Sequence, residues 1–181
     1  MASRKTGSRL LFVIGGASSG KSDVALQLAS KGIAQNTPRA FVATGEGLDE
    51  EMAMKIARHR QSRSSDWSTA EVPLELTAWF KEHGQAYRTI VIDCLTMWLS
   101  NRWRQGSKEQ EILQDGRTFL AALRDLEART VIVSNELGMG LVPDEADSRQ
   151  FREVAGALNR LVAKEADEAY FVVSGIPLRL K

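Results

Sequence analysis

Gly15-Gly16-Ala17-Ser18-Ser19-Gly20-Lys21-Ser22 has the spacing G-x-x-x-x-G-K-[ST]. Glycines at both ends of such a turn let successive backbone N–H groups point at one phosphate, and the start of a following helix adds partial positive charge. The pattern directs Lys21 to the β- and γ-phosphates of a nucleoside triphosphate and the Ser22 hydroxyl to a Mg²⁺ ion. The competing reading is a glycine-rich turn carrying a surface lysine. The flanks favour nucleotide binding. Residues 10–14 (LLFVI) form a short apolar run of the buried-strand kind, Val24, Ala25 and Leu28 have helical spacing, and Lys31-Gly32 reads as a helix stop.

Other candidates for chemistry follow other apolar runs. Asp93 closes the run at 89–93, where a phosphate-loop protein places the acid that holds Mg²⁺, directly or through water. An N-cap for a helix starting at Cys94 is the alternative. Thr44-Gly45-Glu46 follows the run at 39–43 and leads into a helix opened by Asp49, Glu50 and Glu51. Met52, Ile56 and His59 lie at i, i+4 and i+7, so the histidine ends an apolar stripe, with Arg58, Arg60 and Arg63 around it. Two readings stay open. One is a basic helix end that neutralises the last carbonyls. In the other, the arginines clamp phosphates, and their charge keeps the His59 imidazole neutral as a nucleophile toward phosphorus. Asn135 and Glu136 offer a substrate contact, and Gly138 and Gly140 equally well only turn the chain. His83, before Gly84, reads as a helix terminus. Trp67, Trp79, Trp98 and Trp103 do not alternate with basic residues as base-stacking platforms would, and read as core or subunit contact.

These residues need elements to hold them. Five short runs rich in β-branched residues, at 10–14, 39–43, 89–93, 130–134 and 169–173, are apolar on both faces, as parallel strands covered on both sides should be. Helical patterns lie between them at roughly 22–31, 49–63, 74–82, 94–104, 109–128 and 147–166. The last carries one stripe of Phe151, Val154, Ala155, Leu158, Leu161 and Val162, with Asp147 as its expected cap. The alternation predicts a mostly parallel, doubly wound α/β sheet. In such sheets ligands bind beyond the carboxyl ends of the strands, where the candidates above fall.

The bulk numbers set limits. A chain of 181 residues makes one domain of ordinary size, expected over 9–181. With 24 basic and 23 acidic residues, charge gives no argument for nucleic acid or an anionic membrane. The single cysteine, Cys94, excludes an internal disulfide and suits a cytoplasmic protein. Residues 1–8 are polar and basic and are expected to form a disordered extension. The apolar run after them ends at Gly15, too short for a signal peptide or a membrane span.

Longer stretches make the chain resemble a known family. They are GGASSGKS at 15–22, ATGEGLDEEMAMKIARHRQSR at 43–63, Trp67, Thr69 and Glu71 in a W-x-T-x-E spacing, and DCLTMWLSN at 93–101. SNELGMGLVP at 134–143, FREVAGALNR at 151–160 and VVSGIPLRLK at 172–181 complete the match. Together they resemble the bifunctional adenosylcobinamide kinase / adenosylcobinamide-phosphate guanylyltransferases of cobalamin biosynthesis. The likeness runs from about Leu11 to Lys181 without a clear departure, and only the N-terminal tail lies outside it.

The resemblance implies a RecA-like phosphate-loop domain that phosphorylates a corrinoid alcohol with ATP or GTP. It further implies transfer of GMP from GTP to the resulting phosphate through a GMP–histidine at His59. Nucleotide contacts are implied at 15–22, at Thr44, Gly45 and Glu46, at Arg60, Gln61, Ser62 and Arg63, and at Glu71 and Asp93. The family assembles as a homotrimer. Two other readings remain: a small-molecule kinase of this fold without a covalent step, and a nucleotide-dependent switch or assembly ATPase.

Overall fold

Leu10, Phe12 and Ile14 leave strand β1 (Arg9–Gly15) on one face and Leu11 and Val13 on the other, and all five are buried. This period-2 division is the basis of the whole fold. The computed structural model describes residues 8–46 and 66–181. Within them β1 is followed by α1 (Lys21–Ser30), β2 (Arg39–Ala43), β3 (Trp67–Glu71) and α2 (Leu76–His83). Then come β4 (Thr89–Asp93), α3 (Leu95–Arg104), α4 (Glu109–Arg124), β5 (Arg129–Asn135), α5 (Ala146–Glu165), β6 (Glu168–Val173) and β7 (Ile176–Arg179).

The strands form one sheet in the order β3-β2-β4-β5-β1-β6-β7. Every neighbouring pair is parallel except β6 and β7, which are antiparallel. Two hydrophobic clusters lie against it. The larger joins Phe12, Ile90, Ile92 and Ile132 to Phe80 of α2, Trp98 of α3, Phe119 of α4 and Leu158 of α5. The smaller joins Val13, Phe41, Val91 and Val133 to Val24, Ala25 and Ala29 of α1. Both faces are therefore covered, as the doubly apolar strands require. No helix among the described residues is long and apolar enough to cross a membrane.

The five expected strands and the helices outside 49–63 all occur, with boundaries within a few residues. That remaining helix lies outside the described residues. Two strands were not foreseen. β3 (WSTAE) and β7 (IPLR) are edge strands, the first largely and the second wholly exposed. An edge strand needs no apolar run, and Pro177 is tolerated where no further strand has to be paired. Asp147 is not the cap of α5. The N-cap is Glu145, without a side-chain bond, and Asp147 instead accepts a hydrogen bond from Trp103 Nε1 at 3.2 Å. Ser8, expected within the disordered extension, is buried.

Trp98 belongs to the core and donates to Leu74 O at 2.8 Å. Trp79 stacks on Tyr87 with ring centroids 6.0 Å apart, and Trp103 meets Phe151 edge-on. His83 ends α2, as read from the sequence.

Candidate functional site

β1 ends at Gly15 and α1 begins at Lys21, so the eight motif residues form the strand-to-helix turn at the carboxyl edge of the sheet. A Cβ on Gly15 would stand 2.4 Å from Val172 O, closer than any side chain could come. Glycine is required there because β6 passes directly alongside. Gly20 and Ser18 take left-handed conformations, with φ of 87° and 55°. Residues of alternating handedness turn successive amides toward one side, the geometry of an anion-binding nest. The Ser19 hydroxyl is buried without a hydrogen-bond partner among the described residues.

Lys21 is 7% exposed, and its Nζ donates to Gly16 O at 2.5 Å, inside the curve of the loop. Burial holds its ammonium below the ordinary lysine range, against the opposite pull of Cys94 and Asp93. Ser22 Oγ donates to Asp93 Oδ2 at 2.5 Å. Asp93 does not cap α3: the N-cap is Cys94, without a side-chain bond. The two hard oxygens of Ser22 and Asp93, converging from α1 and β4, are a donor set suited to Mg²⁺. Among the described residues no three His, Cys, Asp or Glu side chains gather as a metal site, so such an ion would rely on phosphate oxygens as well. Cys94 is a poor nucleophile, because burial and then the Asp93 charge push its thiol up to about 12.

The remaining strand ends are tied to this centre. Thr44 Oγ1 donates to Cys94 O at 2.6 Å and accepts from Cys94 N at 2.8 Å, joining the ends of β2 and β4. Its hydroxyl is thus committed to the backbone beside Asp93. Glu46 pairs with Arg104 at 2.5 Å, and Arg104 also donates to Asn101 Oδ1. Asn101 is buried and donates to Thr44 O at 2.8 Å and Pro73 O at 3.0 Å. Glu71 stands opposite Ala43, which stands opposite Asp93, so the two acids lie two strands apart on one edge. That places their backbones about 10 Å from each other. His59, Arg60, Gln61, Ser62 and Arg63 lie outside the described residues, as does Arg58.

Two contributions were not legible as roles in the sequence. Asn101 and Trp98 clamp the carboxyl ends of β2 and the chain after β3 onto α3. The turn between β6 and β7 supports the loop from its other side: Gly175 N donates to Ser19 O at 2.8 Å, and a Cβ on Gly20 would lie 3.1 Å from Gly175 Cα. The terminal SGIP segment is therefore a buttress for the phosphate loop.

A phosphate loop with a serine–aspartate pair is common to many nucleotide enzymes, and likeness of the whole chain decides among them. The family model CobU, cobinamide kinase / cobinamide phosphate guanyltransferase, matches residues 11–180. The chain belongs to that family. The bifunctional adenosylcobalamin biosynthesis protein CobP of Pseudomonas aeruginosa is 37% identical over 171 residues, covering 94% of this chain and 96% of that protein. The bifunctional adenosylcobalamin biosynthesis protein CobU of Escherichia coli is 33% identical over 184 residues, covering 95% and 99%. Among solved structures, a KaiC-like protein of Pyrococcus horikoshii matches with a TM-score of 0.53 at 13% identity, over 91% of this chain and 71% of that one. That last likeness concerns the fold alone. It agrees with the RecA-like architecture that the family resemblance implied, and with the mostly parallel α/β sheet read from the sequence.

Proposed function

We propose that this chain carries out both reactions in its family's description, on adenosylcobinamide. In the first, the acceptor alcohol attacks the γ-phosphorus of ATP or GTP. A new P–O bond forms, the bond to the β–γ bridging oxygen breaks, and the nucleoside diphosphate leaves as the alcohol loses its proton. In the second, an imidazole nitrogen of His59 attacks the α-phosphorus of GTP and expels pyrophosphate. An oxygen of the cobinamide phosphate then attacks the same phosphorus, releasing His59 and forming the GDP-cobinamide product. A P–N intermediate divides one difficult displacement into two.

The observation that carries the reading is the Ser22–Asp93 contact of 2.5 Å beside the buried Lys21, at the mouth of the nested loop. Lys21 and the loop amides are preorganised to stabilise charge on the leaving phosphates. Mg²⁺ held between Ser22 and Asp93 would neutralise charge on the β- and γ-phosphate oxygens. We assign Arg60, Gln61, Ser62 and Arg63 to the triphosphate, with Glu71 and the 44–46 backbone at the nucleotide's outer edge. The two steps need different phosphorus atoms in line with the acceptor, so nucleotide or acceptor binds in two ways. The dependence on nucleoside triphosphates places the work in the cytoplasm. We take the assembly to be a homotrimer, for which exposed Met139, Leu141, Ile176 and Leu178 supply apolar surface.

Incubation with Mg²⁺ and α-labelled GTP, followed by denaturing electrophoresis, tests the covalent step. Wild type should carry an acid-labile, base-stable label, and His59→Ala should carry none while keeping kinase activity. Its guanylyl transfer should fall by several orders of magnitude, as commonly follows loss of a covalent nucleophile. Label on the alanine variant would place the nucleophile elsewhere. An unlabelled wild type would favour the plain kinase.

A further inference from the structure

Helix α5 turns Arg149, Arg152, Gly156 and Arg160 to one side, at spacings of three and four residues. That side and the strands β1 and β6 enclose a cleft of about 630 Å³. Its floor is apolar, built on Phe12, Ile14 and Phe171. Its inner end is Glu136, whose N–H donates to Gly15 O at 2.9 Å, so the cleft begins one residue from the phosphate loop. Asn159 donates to Asn135 O at 3.0 Å, which sets that residue level with the end of β5. Glu136 and Gly138, just past the end of β5 at Asn135, line the cleft at the carboxyl edge of the sheet. The cleft opens on the edge where the phosphates would lie.

Three features point to a ligand rather than a packing gap. Gly156 sits inside a 20-residue helix, where glycine is a weak former. A Cβ there would meet only Arg160 Nη1, at 3.6 Å, an ordinary contact. By contrast, Gly116 in α4 is required by packing, since its Cβ would stand 2.8 Å from Leu158 Cδ1. The absent side chain at 156 leaves the cleft wider there. The arginines carry positive charge with no carboxylate on them among the described residues. Arg149 donates to Pro143 O and Asp144 O, Arg152 donates to Gly138 O and Leu141 O, and Arg160 has no hydrogen bond or ion pair there. Finally, the carbonyls they hold belong to the 138–144 loop, so the roof is fastened from the cleft side.

We infer that this cleft seats an edge of the corrinoid acceptor and its alcohol-bearing arm, with Arg160 facing the phosphate that the arm carries in the second reaction. The inference rests on the function proposed above. A corrinoid edge presents methyl groups and primary carboxamides. The apolar floor suits the methyls, the guanidiniums suit amide carbonyls, and the carboxylates of Glu136 and Glu153 suit amide N–H groups. A phosphate monoester needs the unpaired cation. The macrocycle exceeds the cleft, so its far side stays outside.

Steady-state kinetics on the assembled enzyme, with nucleotide affinity measured separately by a fluorescent ATP analogue, tests the assignment. Gly156→Met should raise KM for cobinamide tenfold or more and leave the analogue's Kd within twofold. Gly156→Ala should raise the melting temperature, as a helix gaining alanine does, yet still raise that KM. Arg160→Gln should raise KM for cobinamide phosphate several times more than KM for cobinamide. Unchanged acceptor KM values across all three variants would overturn the cleft while leaving the kinase reading intact. So would an equal loss of nucleotide affinity, or a change in sedimentation, which would make the cleft a subunit contact. Wild type that binds the analogue but phosphorylates no corrinoid would sink the functional reading itself.

Discussion

Lys21 is buried, lies within reach of Asp93 through Ser22, and has its ammonium held below the ordinary lysine range by that burial. Phosphates arriving in the loop favour its charged form and raise its pKa again. The sign follows directly. At alkaline pH, where the unliganded enzyme has begun to lose the Lys21 proton, nucleotide binding takes a proton up, and affinity falls as pH rises further. Calorimetry of nucleotide binding in buffers of different ionisation heat should show this uptake at pH values approaching the ordinary lysine range from below, and Lys21→Ala should abolish it. The same variant should keep its fold and lose about 10²–10³-fold in kcat for both reactions, the usual effect of removing one preorganised donor. A Lys21→Ala enzyme with normal kinase and guanylyl transfer would remove the loop from the mechanism. Cys94, next to Asp93, takes no part in such titration near neutrality, since its thiol is pushed up to about 12.

At the scale of elements, α3 is the piece that sets strand ends in place. Asn101 uses both amide hydrogens on the Thr44 and Pro73 carbonyls and its oxygen on Arg104, which in turn holds Glu46. Asn101→Ala leaves two partly or fully buried carbonyls without their donor. That should cost about 1–3 kcal/mol of stability. Thermal unfolding should show the loss, and KM for nucleotide should rise with it because the 44–46 segment is released. A variant equally stable with unchanged KM would mean that water replaces the amide without consequence. The helix N-termini show how local signals mislead. Asp147 has the residue type of a cap for α5, yet the chain begins that helix at Ala146, and the Asp147 carboxylate turns to Trp103. Cap preference is a local tendency of about 1 kcal/mol, which a tertiary partner readily outweighs.

At the scale of the molecule, the exposed apolar residues of the 139–142 loop and β7 include Leu141 at 97% exposure. If they cover one another in a homotrimer, sedimentation at micromolar concentration should give three times the chain mass, and Leu141→Asp should shift it toward monomer. A fully active wild-type monomer would contradict the assembly. The seven-strand sheet itself was largely readable in advance. Runs apolar on both faces, interrupted by 3.6-period patterns, leave little choice but a parallel sheet between helices, and the glycine–lysine–serine spacing names its phosphate-binding turn. Those are properties of consecutive residues, so sequence alone determined them. Strand order rests on pairings between elements separated in sequence, the Ser22–Asp93 contact joins positions 71 residues apart, and the two edge strands depend on exposed backbone with no apolar signature. The cleft is of the same kind. No local signal gives Gly156 a role, and only the packing of α5 against β1 and β6 makes its missing side chain a space beside the phosphate loop.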